Sequence, residues 1–221
     1  MSKRHFDIFM NRDYKEFAPG SIVHIYNRGN NRENIFLDDQ DFKAFIFRLG
    51  LALGFEEREL THQMCSLPYS RIRITDTRKG NFKLFAFCLM PNHFHLLIEQ
   101  CGDTSLSKII SKICMSYSKY VNKKYNRVGH IFQDCFKAVA VESNPQLMWS
   151  SAYIHMNAVK DKLVKHPSEY TWSSYNDYVS DRNLPIIETE FLTSVFGDKS
   201  NFEKETLRLF FDGELDVKVS L

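Results

Sequence analysis

Residues 89–100, LMPNHFHLLIEQ, decide how this chain is read. They belong to two short apolar runs, FKLFAFCLM (82–90) and HFHLLIEQ (93–100), separated by Pro91-Asn92, a dipeptide suited to a tight antiparallel connection. Successive side chains on a strand point to opposite faces. His93 and His95 therefore share one face, roughly 7 Å apart along it, and Phe94 points the other way, with Leu96, into a core. Two imidazoles placed like this can hold one metal ion between them, or can be ordinary histidines on a solvated sheet face.

Working outward, SIVHIYNRGN (21–30) alternates and ends in a polar turn, which predicts a strand with an exposed tip. A helix capped by Asp39 follows, with Phe42, Phe45, Ile46, Leu49 and Leu53 at 3.6-residue spacing. Residues 54–81 are charged and irregular and are expected to be an insertion loop. Downstream, Leu106, Ile109, Ile110, Ile113, Tyr117, Tyr120 and Val121 mark the apolar stripe of a long helix, and FKAVAVE (136–142) is another strand. Ser143 or Asn144 can cap a further helix running to about Lys160, with Pro145 in its first turn. The order strand, helix, strand, strand, helix, strand predicts an α+β fold. Its core is a ferredoxin-like antiparallel sheet with helices packed on it, plus an extra helix and a C-terminal helical tail. In that topology the strand carrying both histidines is interior. Residues 1–19 read as an N-terminal extension, 20–180 as the domain, and 181–221 as an acidic tail.

The 221 residues suffice for one sizeable core, and 43% hydrophobic and 14% aromatic content suits a folded globular protein. Net charge is only +2, but it is unevenly distributed. Residues 101–140 hold seven bases and two acids, whereas 181–221 hold nine acids and five bases. A basic middle is compatible with polyanion binding, and equally with a solvated helix face; the acidic tail could act as a lid over it. Five cysteines (65, 88, 101, 114, 135) form no CxxC pair, and Cys88 and Cys114 fall in apolar elements. That favours buried thiols in a reducing compartment. No apolar stretch approaches a membrane span, so the expectation is a cytoplasmic protein that does not engage membranes.

Two imidazoles need at least one more ligand to hold an ion. In SSAYIHMNAVK (150–160), Tyr153 and Asn157 stand four apart, on one helical face. Asn157 can add an amide oxygen to the two nitrogens, a set that leans towards Mg²⁺ or Mn²⁺ although Zn²⁺ also suits the nitrogens. A tyrosine beside a divalent ion, in a chain with a basic helix, suggests phosphoryl transfer through a phosphotyrosine.

The segments YNRGNNRENIF (26–36), LMPNHFHLLI (89–98), GHIFQDCFKAVAVE (129–142), YIHMNAVK (153–160) and YTWSSY (170–175), in this order, resemble the IS200-like single-tyrosine (HUH) transposases. They resemble especially the branch of REP-associated tyrosine transposases. The resemblance implies a nucleophile at Tyr153 and metal ligands at His93, His95 and Asn157, with Mg²⁺ or Mn²⁺ as the ion. The activity it implies is cleavage and rejoining of single-stranded DNA near hairpins of a repetitive palindromic element, through a 5′-phosphotyrosine. The protein would be a monomer or homodimer, associated with the nucleoid when bound. Ala158 departs from the pattern, standing where the family usually has proline, so the helix is expected to continue. Arg28, Asn30 and Arg32 in the polar turn are candidates to grip DNA, as are Lys119, Lys123, Lys124, Arg127 and Lys137, with Tyr120 or Tyr125 as stacking platforms. His155 reads as structural, and Trp172 and Tyr175 as clamps for the C-terminal segment. The alternatives are a hairpin-binding relative that does not cut, and a metal-dependent nuclease using water.

Overall fold

A computed structural model describes residues 16–61 and 77–219. The first 15 residues of the expected extension, and 62–76 of the expected insertion with Cys65, lie outside the described residues. The strands are β1 (Ser21–Arg28), β2 (Phe82–Met90), β3 (His93–Gln100) and β4 (Lys137–Val141). The helices are α1 (Asp39–Ala52), α2 (Glu57–Thr61), α3 (Leu106–Lys124), α4 (Asn144–Lys160), α5 (Tyr175–Val179), α6 (Glu190–Phe196) and α7 (Lys199–Val219).

The sheet order is β2-β3-β1-β4, with every pair antiparallel. This is the ferredoxin-like arrangement, and β3 is interior as expected. Phe94 is fully buried on the face covered by α1 and α3, where it meets Phe45 at 4.9 Å between ring centroids. Truncating such a ring to alanine typically costs ~3–5 kcal/mol. Packing Phe94 on one face fixes the pleat, and with it the direction of His93 and His95 on the other.

Local chemistry sets most of the helix boundaries. Ser143 caps α4, accepting from the Gln146 amide, and the helix runs on past Ala158 to Lys160. The cap of α1 is Asp38, not Asp39: Asp38 is extended and its carboxylate accepts from the Asp41 amide at 3.1 Å, whereas Asp39 is already helical. The start of the expected insertion loop is also corrected. Residues 57–61 form α2, where Leu60 is buried so closely against Gly50 that a Cβ there would lie 2.6 Å from it.

Residues 170–188 protect the outer edge of β2. The Leu89 amide donates to the Trp172 carbonyl, Ser174 to Phe87, and Glu188 to Leu84. Trp172 stacks on Phe42 and Tyr175 is fully buried, so both clamp this segment. The tail does not lie over α3 as a lid. It packs along α4 and α5, with Phe202 stacked on Tyr178 at 4.3 Å and set against His155. Among the described residues no helix is long and apolar enough to cross a membrane.

Candidate active site

The site lies on the sheet face opposite Phe94, beneath α4. The antiparallel register places Tyr26 opposite His95 and Arg28 opposite His93, and pairs Tyr26 with Lys137 on β4. Cross-strand partners share a face, so Arg28, Tyr26 and Lys137 join the two histidines there. His24, two residues before Tyr26, is on the same face, and its Nε2 lies 2.9 Å from His95 Nδ1. The His93 and His95 rings are 5.1 Å apart between centroids, nearly perpendicular. On the other side of His93, Nδ1 is 2.6 Å from Asn92 Oδ1, and the Asn92 amide also donates to the Arg32 carbonyl. The polar turn after β1 thus steadies the residue that orients His93.

Helix α4 supplies the opposing wall. The Tyr153 ring sits edge-on to His95 at 5.6 Å and to His24 at 6.1 Å. One turn on, the Asn157 amide nitrogen donates to the Tyr153 carbonyl at 2.8 Å, and its side chain lies close to His93. Lys160 Nζ lies 4.7 Å from the centre of the Tyr153 ring, and the Trp149 indole stacks on its neighbour Tyr153 at 5.2 Å.

Burial keeps these imidazoles neutral. It lowers His24 to about 4, and, together with the Arg28 charge, His93 to about 4. His95 falls well below its ordinary value through burial, reinforced by His24 and His93. A neutral imidazole keeps a nitrogen lone pair, which metal ligation requires. Among the described residues no three His, Cys, Asp or Glu side chains gather as a metal-ligating cluster. Any ion here would rest on two imidazoles and an amide oxygen, a donor set to which His93, His95 and Asn157 conform.

The residues expected to bind DNA separate. Arg28 and Lys137 are exposed on the site face, and Asn30 and Arg32 are exposed in the turn beyond β1. Arg127 pairs with Glu33 at 2.9 Å. Lys119 and Lys123 are exposed on α3, across the sheet from Tyr153. Lys124 is not free to line a groove: only 12% exposed, it is ion-paired to Asp38 and to fully buried Asp41, each at 2.7 Å. Nor do the two stacking candidates serve, because Tyr120 is buried and both tyrosine hydroxyls donate to Asp41. The Gly129–Gln133 segment continues the pairing of β1: the Gln133 amide donates to the Arg28 carbonyl and the Asn30 amide to that of Ile131. His155 is structural, as expected, bonding Ser174 Oγ at 2.8 Å.

Sequence reasoning missed His24, Asn92, Trp149 and Lys160. His24 was legible as the residue two before Tyr26 on an alternating strand, and Lys160 as one helical face with Tyr153; Trp149 stands at i−4 from the tyrosine.

A ferredoxin-like sheet with paired histidines under a tyrosine-bearing helix is the architecture that the motifs imply for IS200-like transposases. The model of that family, described as "Transposase IS200 like", matches residues 56–157, a span that includes His93, His95, Tyr153 and Asn157. The fold is also similar to a solved structure of a REP-associated tyrosine transposase bound to a REP hairpin. The TM-score is 0.54 at 19% identity, covering 83% of this chain and 93% of that one. No curated protein matches the sequence.

Proposed function

We propose that this chain is a metal-dependent single-strand DNA transesterase that nicks and rejoins DNA beside hairpins, with Tyr153 as nucleophile. One observation carries the reading: the Tyr153 ring lies 5.6 Å from His95, with Asn157 one turn further along α4 and close to His93. In the reaction the Tyr153 hydroxyl gives up its proton and its oxygen bonds to phosphorus, while the bond from phosphorus to the 3′-oxygen breaks. The departing oxygen takes a proton and leaves as a 3′-hydroxyl, and the 5′-phosphate stays on Tyr153. Rejoining is the reverse. The ester conserves the energy of the broken bond, so no external energy source is needed.

His93 and His95, with the Asn157 amide oxygen, would hold Mg²⁺ or Mn²⁺; when bound, the ion polarises a phosphate oxygen and offsets developing charge. The Asn92 Oδ1 accepts from His93 Nδ1, which leaves the His93 Nε2 lone pair available as a ligand, and His24 engages Nδ1 of His95. Arg28, Lys137 and Lys160 supply positive charge for the phosphates around Tyr153. Hairpin DNA as the partner is supported by the REP hairpin bound to the similar transposase.

The test is incubation with end-labelled hairpin DNA carrying single-stranded flanks, in Mn²⁺, read on a denaturing gel. A protein–DNA adduct that forms with the wild type and is absent with Tyr153→Phe supports the proposal. Cleavage without adduct, persisting in Tyr153→Phe, would replace it by a water-using nuclease. Binding with neither product would leave a hairpin binder.

A further inference from the structure

Trp149 has no part in the reaction just described, yet it sits against the nucleophile. It lies one helical turn before Tyr153, with the two ring planes inclined by 15° and 5.2 Å between centroids. The indole remains 48% exposed. A lone exposed tryptophan is common on protein surfaces and by itself means little. This one differs in its surroundings. One part of it is covered by the tyrosine proposed to attack DNA, the rest faces solvent, and Lys160 lies at the other contact of that same tyrosine, 4.7 Å away. Arg28 and Lys137 add cations on the sheet face below.

We infer that Trp149 is a stacking platform for a nucleobase flanking the scissile phosphate. The inference rests on the transesterase reading for the position of that phosphate. A strand whose phosphate reaches Tyr153 between Lys160 and Arg28 must direct a neighbouring base along α4, where the open indole is the available aromatic surface. The cations hold phosphates without regard to sequence, so they cannot set the register of the strand. A base seated on Trp149 does, because sliding by one nucleotide requires unstacking. Every base has a π-face, so the platform tolerates any sequence and favours the bases that stack more strongly.

The chain has two tryptophans, and the other, Trp172, stacks on Phe42 on the α1 side of the fold. Fluorescence can therefore separate them. Full-length Tyr153→Phe protein without metal would be titrated with a twelve-nucleotide oligothymidylate, and with a strand of the same length made wholly of abasic sites. Saturable quenching is expected with the oligothymidylate and not with the abasic strand. With binding read by the anisotropy of end-labelled strands, adding Trp149→Ala should weaken oligothymidylate binding about 5- to 100-fold and leave abasic binding unchanged. Trp149→Phe, which keeps an aromatic ring, should restore most of the affinity and so rules out misfolding as the cause. Equal affinities of Trp149→Ala and its parent for oligothymidylate would overturn the inference, as would quenching that persists in Trp149→Phe. The adduct assay is independent of this titration. An adduct formed equally well by Trp149→Ala sinks the platform alone, whereas base-dependent quenching with no adduct in wild type sinks the transesterase and leaves the platform.

Discussion

His24 Nε2 lies 2.9 Å from His95 Nδ1, across the β1–β3 pair. One hydrogen bridges the two rings, and each ring thereby restricts the other's tautomer and orientation. If His95 donates, its Nε2 is free to ligate. Replacing His24 by phenylalanine keeps an aromatic ring and removes the bond. Losing such an outer partner typically costs ~10–100-fold in metal affinity. Mn²⁺ titration followed by electron paramagnetic resonance should show that loss in His24→Phe, with a thermal melt confirming that the fold survives. Unchanged Mn²⁺ affinity would mean that His24 does not position His95.

Arg28 and Lys124 are both basic residues in the candidate DNA-binding set, but their surroundings predict opposite phenotypes. Arg28→Ala should weaken single-stranded DNA binding and lower the slope of log affinity against log salt by ~0.7, the loss of one phosphate contact. Lys124→Met should leave that slope unchanged and destabilise the fold by ~3–5 kcal/mol, because the fully buried Asp41 loses its ion-pair partner. Salt-dependent binding isotherms and denaturant melts on both variants decide it. A lower salt slope in Lys124→Met would return that lysine to the DNA surface.

Acid should destabilise the metal-free protein. Burial lowers His155 from 6.5 to about 3, and His24 and His93 to about 4. Between those values and 6.5 the unfolded chain binds more protons than the folded one. The stability from these neutral histidines is therefore complete above about pH 6.5 and is lost as pH falls below it, each group contributing up to ~1.4 kcal/mol per pH unit. Melts at a series of pH values from 7.5 to 4.5 should show this decline. His155→Gln should have a shallower one by one histidine's share; an identical slope would place the acid sensitivity elsewhere.

The C-terminal helices are expected to be a structural brace for α4. Phe202 is fully buried against Tyr178 and His155. Phe202→Ala should lower stability by ~3–5 kcal/mol and leave the DNA affinity of the folded fraction unchanged. A gain in affinity on this substitution, measured below the melting temperature, would restore the idea of an autoinhibitory tail.

The sequence by itself determined the parts of this protein that depend on local periodicity. The bounds of β2 and β3, the start of α4 at Ser143 or Asn144 and the stripe of α3 follow from alternation, capping chemistry and 3.6-residue spacing, all of which operate within a few residues. The same alternation put His93 and His95 on one face and Phe94 on the other. Tertiary structure alone decided what stands beside them. His24 reaches His95 only through the register of two strands 71 positions apart in the chain. Lys124 loses its apparent freedom to carboxylates on another helix, 86 and 83 positions earlier. Trp149 gains its meaning from being stacked on Tyr153 while still open to solvent. A side chain's local pattern states which face it occupies, but its partners are set by strand register and helix docking, and those are properties of the assembled core.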